Sequence, residues 1–248
     1  MADPTTDRGG AFYDDDLTGP YLAHRHAGRA SPNSVMEEPA FLAAVGDVHG
    51  RKVLDLGCGD GSTAPLMLDR GASSYRGIDG SPQMVARAQA FAGPRATFEV
   101  ADIEDFIPEQ GAFDLIISRM ALHYVADIRT AMSRARDGLV HGGAMVFTVA
   151  HPVLTSHEND VDGRRTNWTV DDYFVRGPRP RQWFGATVTW QHRTIEDYVS
   201  ATLDAGLHLR RLSECEPDAD LLGDDPAELS RRRRVPVMLL VAAVRPWS

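Results

Sequence analysis

The sequence predicts an α/β protein built on a doubly wound, mostly parallel seven-stranded sheet. Three observations carry that prediction. Short apolar runs alternate with helical patterns between residues 52 and 150, a glycine-rich turn closes the first run, and no internal repeat with a period of roughly 20 to 50 residues is visible. A chain of 248 residues with 43% hydrophobic content can bury one full core without disulfides or metal.

Taken in order, residues 52–57 (KVLDLG) read as a strand that ends in glycine, and 62–70 as a helix with Leu66 and Met67 on its inner side. Residues 75–79 are the second strand. Ser81 and Pro82 then supply an N-cap and a first-turn proline for a helix whose apolar positions Met84, Val85, Ala88 and Phe91 fall at helical spacing, and Gly93-Pro94 stops it. Residues 97–100 are the third strand, and 113–118 (FDLIIS) the fourth, whose unbroken apolar character suits burial on both faces. A helix over about 127–137 and a fifth strand at 144–150 (AMVFTVA) complete the alternation, which right-handed crossovers turn into a parallel sheet.

The pattern breaks between 151 and 191. That stretch has no clean period but holds six aromatics, Trp168, Tyr173, Phe174, Trp183, Phe184 and Trp190, and reads as a cap inserted after strand five. Thr194 N-caps a further helix with Ile195, Tyr198, Val199, Thr202 and Leu203 on one stripe and Gly206 at its end; 207–212 and 235–244 are the last two strands. Between them, seven acids in 214–228 precede the arginines 231–234, a juxtaposition that reads as a solvated loop with its charge neutralised locally.

Composition narrows the function. A net charge of -9 argues against a protein whose affinity comes from neutralising phosphates, so no nucleic-acid partner is expected. The longest uncharged apolar run, 235–244, has ten residues and contains Pro236, against the roughly 20 that span a bilayer, so no membrane partner is expected either. The first thirty residues lack the basic-then-apolar order of a secretory signal, and Cys58 and Cys215 are too few for a disulfide framework. A cytoplasmic setting is the expectation.

The strongest chemical signal is Val53-Leu54-Asp55-Leu56-Gly57-Cys58-Gly59-Asp60-Gly61 at the end of the first strand. Glycines there let the backbone turn tightly beside a ligand, and the next helix offers unpaired N–H groups to a carboxylate or phosphate. The spacing is G-x-G-x-G, with Ser62 where a dinucleotide fingerprint would need its third glycine, and Asp55 suits an ammonium better than a pyrophosphate.

Over about 53–149 these motifs resemble the class I S-adenosylmethionine-dependent methyltransferases, and the resemblance implies their Rossmann-like fold and S-adenosyl-L-methionine as cofactor. It implies a cofactor site made of Asp55, Gly57, Cys58, Gly59 and Gly61 in the first turn. Ile78-Asp79-Gly80-Ser81 follows, with Asp79 on the ribose hydroxyls and Met84 against the adenine. Ala101-Asp102-Ile103 comes next, with Asp102 on the adenine amine and Ile103 N–H on the ring. The Ser118 carbonyl, in a segment running from Phe113 to Val125, is matched to the cofactor's amino group. Residues 33–39 (NSVMEEP) and His192-Arg193-Thr194 resemble a bacterial subgroup that acts on small molecules. The organisation expected is an N-terminal lid at 1–45 with Phe12, Tyr13, Tyr21 and Arg25, a cofactor-binding core at 46–150, a substrate cap at 151–192, and the rest of the core fold at 193–248.

The function implied is methyl transfer to an O, N or C nucleophile of a small molecule, aromatic ones included. His123, just after the fourth strand, is the first choice for a general base, with His151 and His192 as rivals. Tyr21, His151, Trp168, Tyr173, Trp183 and His192 are the substrate-facing candidates. No acid cluster for a metal is evident. A non-methylating enzyme using the same cofactor, a non-catalytic sensor, and an oxidoreductase disfavoured by the glycine spacing are the other readings.

Overall fold

Strand β1 (Lys52–Leu56) is buried from Val53 onward because it is flanked on both sides: β2 (Ser74–Asp79) pairs with it along its whole length, and β4 (Phe113–Arg119) pairs in parallel on the other edge. The structure is a computed structural model that describes residues 18–27, 31–157, 167–183, 186–223 and 225–247. With β3 (Ala96–Val100), β5 (Leu139–Ala150), β8 (His208–Glu214) and β9 (Met238–Val244), the main sheet has seven strands in the order β3-β2-β1-β4-β5-β9-β8, and β9 pairs antiparallel with both neighbours. The direction of winding reverses between β1 and β4. That switch point leaves a crevice beyond the carboxyl ends of these strands, the place where such sheets bind ligands.

Alternation along the strands builds two cores. Val53, Tyr75, Leu115, Ile117 and Val146 face a layer that includes Phe41 of α2 (Glu38–Val45) and Met67 of α3 (Thr63–Asp69). Leu54, Ile78, Ile116, Met145 and Phe147 face the layer of α5 (Ile128–Gly138) and α7 (Ile195–Asp204). Asp127 caps α5 by accepting from Thr130 N–H, and Thr194 with Asp197 forms a reciprocal capping box on α7, so both helices start where the sequence places them.

Four details depart from expectation. Helix α4 (Pro82–Ala88) gives way to a 3-10 turn at Gln89–Phe91, whose tighter winding swings Phe91 off the buried stripe to 42% exposure. Leu203 is 49% exposed because the inward face of α7 centres on Tyr198, Ala201 and Thr202. The 214–234 stretch is not a loop: it carries α8 (Ala219–Leu222) and α9 (Pro226–Arg232), with Glu228 paired to Arg231 at 2.5 Å and to Arg232 at 2.8 Å. The aperiodic region after the short α6 (Pro152–Thr155) contains an antiparallel hairpin, β6 (Gly177–Trp183) and β7 (Ala186–His192), forming its own two-stranded sheet. Pro178 and Pro180 hid β6 from the pattern; both are tolerated because the strand pairs on one side, leaving the positions without N–H groups unpaired on the other. Helix α1 (Thr18–Arg25) precedes the sheet, and among the described residues no helix is long and apolar enough to cross a membrane. Phe12, Tyr13 and Phe184 lie outside the described residues.

Candidate functional site

The turn after β1 is pinned to β2, since Gly57 and Cys58 N–H both donate to the Ile78 carbonyl, at 2.9 and 2.8 Å. Gly57 and Gly61 have φ of 79° and 77°, and a Cβ at either would meet Ala121 Cβ at 2.3 Å or Ala88 Cβ at 2.8 Å, so close packing demands glycine. Gly59, at φ 56°, differs: the nearest atom to a Cβ there is Arg25 Nη1 at 3.8 Å, and the position faces an opening.

That opening is a half-open cavity, whose empty space is about 650 Å³ when the solvent at its open mouth is counted in. One wall carries Gly57, Gly59, Asp79, Gly80, Met84, Asp102 and Ile103, all named by the sequence. Asp79 is oriented by two backbone donors, Gly59 N–H to Oδ2 at 2.8 Å and Ser81 N–H to Oδ1 at 2.9 Å. Ser81 Oγ in turn accepts from Met84 N–H and caps α4, while Asp102 Oδ1 accepts from Glu104 N–H at 2.8 Å. A second stretch of the lining is Met120, Ala121, Tyr124 and Val125 from the chain that follows β4, and Tyr21 and Arg25 come from α1. Arg25 Nη1 donates to the Tyr21 hydroxyl at 3.2 Å. Burial opposes its charge, but the Tyr21, Asp60 and Glu37 oxygens outweigh burial and hold the guanidinium above its ordinary pKa.

Other predicted residues stand behind the walls. Cys58, Gly61, Ser81 and Ser118 do not line the cavity; Ser118 Oγ donates to the Leu56 carbonyl at 2.7 Å and ties β4 to β1. Burial pushes the Cys58 thiol far up, so it carries no thiolate. Asp55 is also buried behind the turn: Oδ2 accepts from the Tyr75 hydroxyl, Oδ1 is buried with no partner, and burial lifts the carboxyl to about 6.

The histidines differ most from expectation. His123 is buried behind the wall, its Nδ1 accepting from Ala150 N–H at 3.4 Å and its ring 4.9 Å edge-on from Trp190. Burial, then the Arg181 and Arg193 charges, push it down to about 3, leaving a poor base at neutral pH. His151 accepts from Val153 N–H and donates from Nε2 to Glu214 Oε1 at 3.1 Å, as a cap of α6. His192 is consumed by the Thr155 hydroxyl at 2.7 Å and the Tyr173 carbonyl at 2.9 Å. Trp183 packs on Trp190 and His24, and neither it nor Trp168, Tyr173, His151 or His192 lines the cavity. Of the substrate candidates, Tyr21 does. Sequence reasoning missed Glu104, Arg119, Met120, Ala121, Tyr124 and Val125 as cavity residues. A usable signal was present, because 119–125 follows the carboxyl end of a central strand at the switch point.

Strand order, switch-point cavity and acid-lined glycine turn define a nucleoside-binding α/β enzyme. Residues 53–143 match the methyltransferase domain family. A solved S-adenosylmethionine-dependent methyltransferase from Mesorhizobium loti is 34% identical, with a TM-score of 0.77, covering 84% of this chain and 97% of that one. The 2-heptyl-1-hydroxyquinolin-4(1H)-one methyltransferase of Mycobacteroides abscessus is 32% identical over 54% of this chain and 66% of its own length. The trans-aconitate 2-methyltransferase of Streptomyces avermitilis is 36% identical over 40% of this chain and 38% of its own length. The chain belongs to the class I S-adenosylmethionine-dependent methyltransferases, and S-adenosylmethionine is its cofactor.

Proposed function

We propose that the enzyme methylates a small molecule at an O, N or C nucleophile held against the wall of Met120, Ala121, Tyr124 and Val125. The observation that carries this reading is that these largely apolar side chains line the same cavity as Asp79, Asp102 and Met84. Two named relatives act on small molecules, trans-aconitate and a quinolone, which supports the class of acceptor without fixing it. The net charge of -9 weighs against nucleic acid as acceptor.

The cofactor fits the residues present. Asp79, fixed by its backbone donors, is oriented to accept from the ribose hydroxyls beside Gly80. Asp102 and Ile103 would hold the adenine edge and Met84 would lie against its face, all three lining the cavity. The partnerless Oδ1 of Asp55 is a buried acceptor that an ammonium, directly or through water, would satisfy. Arg25, over the open side of Gly59, offers its guanidinium to a carboxylate. Helix α1 acts as a lid through Tyr21 and Arg25, and Trp190 of β7 backs Tyr124 of the acceptor wall.

When bound, the cofactor supplies an electrophilic sulfonium methyl. The protein's task is to hold the acceptor atom in line at roughly 3 to 3.5 Å and exclude water. Transfer rests on that positioning and not on a histidine base, since His123 is neutral and behind the wall. The test pairs two measurements. Calorimetry should give binding of the demethylated cofactor that Asp79→Ala weakens at least about ten-fold. Incubation with methyl-labelled cofactor and cell extract should put label in the small-molecule fraction; label confined to macromolecules would overturn the acceptor assignment.

A further inference from the structure

The two segments that resemble the small-molecule subgroup, 33–39 and 192–194, put no side chain in the cavity lining, yet the first pairs with Arg119 at the end of β4 and the second with the chain that follows it. At its start, the π-helix Asn33–Glu37 ends where α2 begins. Glu37 is 1% exposed, with Oε2 taking Arg119 Nη2–H at 2.5 Å and Oε1 taking Arg119 Nε–H at 3.1 Å. Thr148 on β5 donates its hydroxyl to Glu37 Oε1 at 2.8 Å, and its carbonyl accepts Met120 N–H at 2.9 Å. Met120 is a non-glycine residue at φ 55°, a conformation that persists when its surroundings enforce it.

The other end is held as firmly. Arg193, buried between β7 and α7, donates from Nη2 to the Val125 carbonyl and, at 2.7 Å, to the Ala126 carbonyl. Gln191 N–H donates to the His123 carbonyl at 2.7 Å, and Glu104 Oε1 accepts from Ala126 and Asp127 N–H at 3.0 and 3.1 Å. Polar groups distant in sequence therefore fix the backbone of 119–127 at both ends and in the middle. The cavity wall is the part between them.

We propose that Glu37 and Arg193 are positioning residues that clamp residues 119–127 into the one shape in which Met120, Ala121, Tyr124 and Val125 form the acceptor wall. The identity of that wall as the acceptor side rests on the function proposed above. The clamp acts through backbone and through Arg119, without either residue touching acceptor or cofactor. The Arg119 guanidinium meets the buried Glu37 carboxylate on two atoms, so removing either partner leaves the other buried without its counter-charge and loosens the segment.

Hydrogen exchange read by mass spectrometry, with the demethylated cofactor bound, tests the clamp independently of any acceptor. Arg193→Gln and Glu37→Gln should each speed exchange of amides 120–127 about ten-fold while β1 and β2 keep their protection. Arg193→Lys, which keeps a cation and loses the fork, should give an intermediate acceleration and preserves the fold should the glutamine variants not. Unchanged exchange at 120–127, or equal acceleration throughout the sheet, would overturn the clamp. Labelled methyl transfer with cell extract reads the acceptor wall separately: slowed labelling of small molecules by Arg193→Lys, with cofactor affinity within about three-fold of wild type, supports the proposal. Local loosening with transfer unchanged leaves the clamp standing and removes the acceptor role of that wall.

Discussion

The Tyr75 hydroxyl donates to Oδ2 of Asp55 across two adjacent parallel strands and leaves Oδ1 buried with no partner. One hydrogen bond does not repay the burial of a carboxylate, and burial raises the group from 3.8 to about 6. A raised acid favours the folded state below its unfolded value and loses that contribution as pH rises to about 6, so at neutral pH Asp55 costs stability. Asp55→Asn keeps an acceptor for Tyr75 and removes the charge. Thermal melts at pH 7.5 should show the variant without cofactor more stable by about 1–3 kcal/mol. Calorimetry should show weaker cofactor binding, and wild-type affinity should fall between pH 7 and pH 5 as Asp55 protonates, a dependence the variant lacks. An Asp55→Asn protein that binds as tightly as wild type would show that Oδ1 meets no ammonium.

The glycines of the first turn separate packing from binding. Gly57→Ala would force a Cβ to 2.3 Å from Ala121 Cβ and also strain a positive φ, so a stability loss of about 2–4 kcal/mol is expected. Gly59→Ala meets nothing closer than 3.8 Å, leaving a strain cost of about 1 kcal/mol, but its methyl enters the cavity. Melting temperature should therefore fall mainly in the first variant and cofactor affinity in both.

His123 gives a pH prediction with the opposite sign to Asp55. Its folded pKa of about 3 lies below the free value of 6.5, so its packing contributes fully above pH 6.5 and is lost as pH falls toward 3. His24, His151 and His192 are also pushed down, by burial first, and add to the same acid window. Acid melts should show stability declining below about pH 6.5, by less in His123→Asn. A general base is worth about 10² to 10⁴ in rate, so His123→Asn retaining transfer within about ten-fold in the labelled-cofactor assay would separate a packing role from a basic one.

The contrast between His123 and Asp79 marks what sequence can reveal. Parallel strands buried on two faces announce themselves as unbroken apolar runs, and Gly57, Gly93 and Pro94 punctuate them, so the strands and the doubly wound class follow from local pattern, while Asp79 and Asp102 are singled out by the family resemblance. The Glu37–Arg119 pair joins positions 82 apart, and no local rule connects them. The hairpin was concealed by a strand reading GPRPRQW, where prolines replace the alternating apolar signal. Burial of His123 under Trp190, beside the Arg181 and Arg193 charges, exists only once the hairpin has folded back.

Tyr124 separates the two halves of the reaction site. Its ring lies 4.5 Å from His123 and 6.4 Å edge-on from Trp190, so the hairpin backs it while it lines the cavity on the proposed acceptor side. The acid wall proposed to meet the cofactor is built from different loops, which predicts that the two functions can be unlinked. Tyr124→Ala should leave affinity for the demethylated cofactor within about three-fold, because Asp79, Asp102 and Met84 are untouched, and should cut labelled methyl transfer at least about ten-fold by enlarging the acceptor space and admitting water. Tyr124→Phe keeps the ring and its edge-on contacts; rescue of transfer by phenylalanine assigns the role to shape, whereas loss in both variants assigns it to the hydroxyl. Cofactor binding lost together with transfer would place Tyr124 on the cofactor side and move the acceptor elsewhere in the cavity.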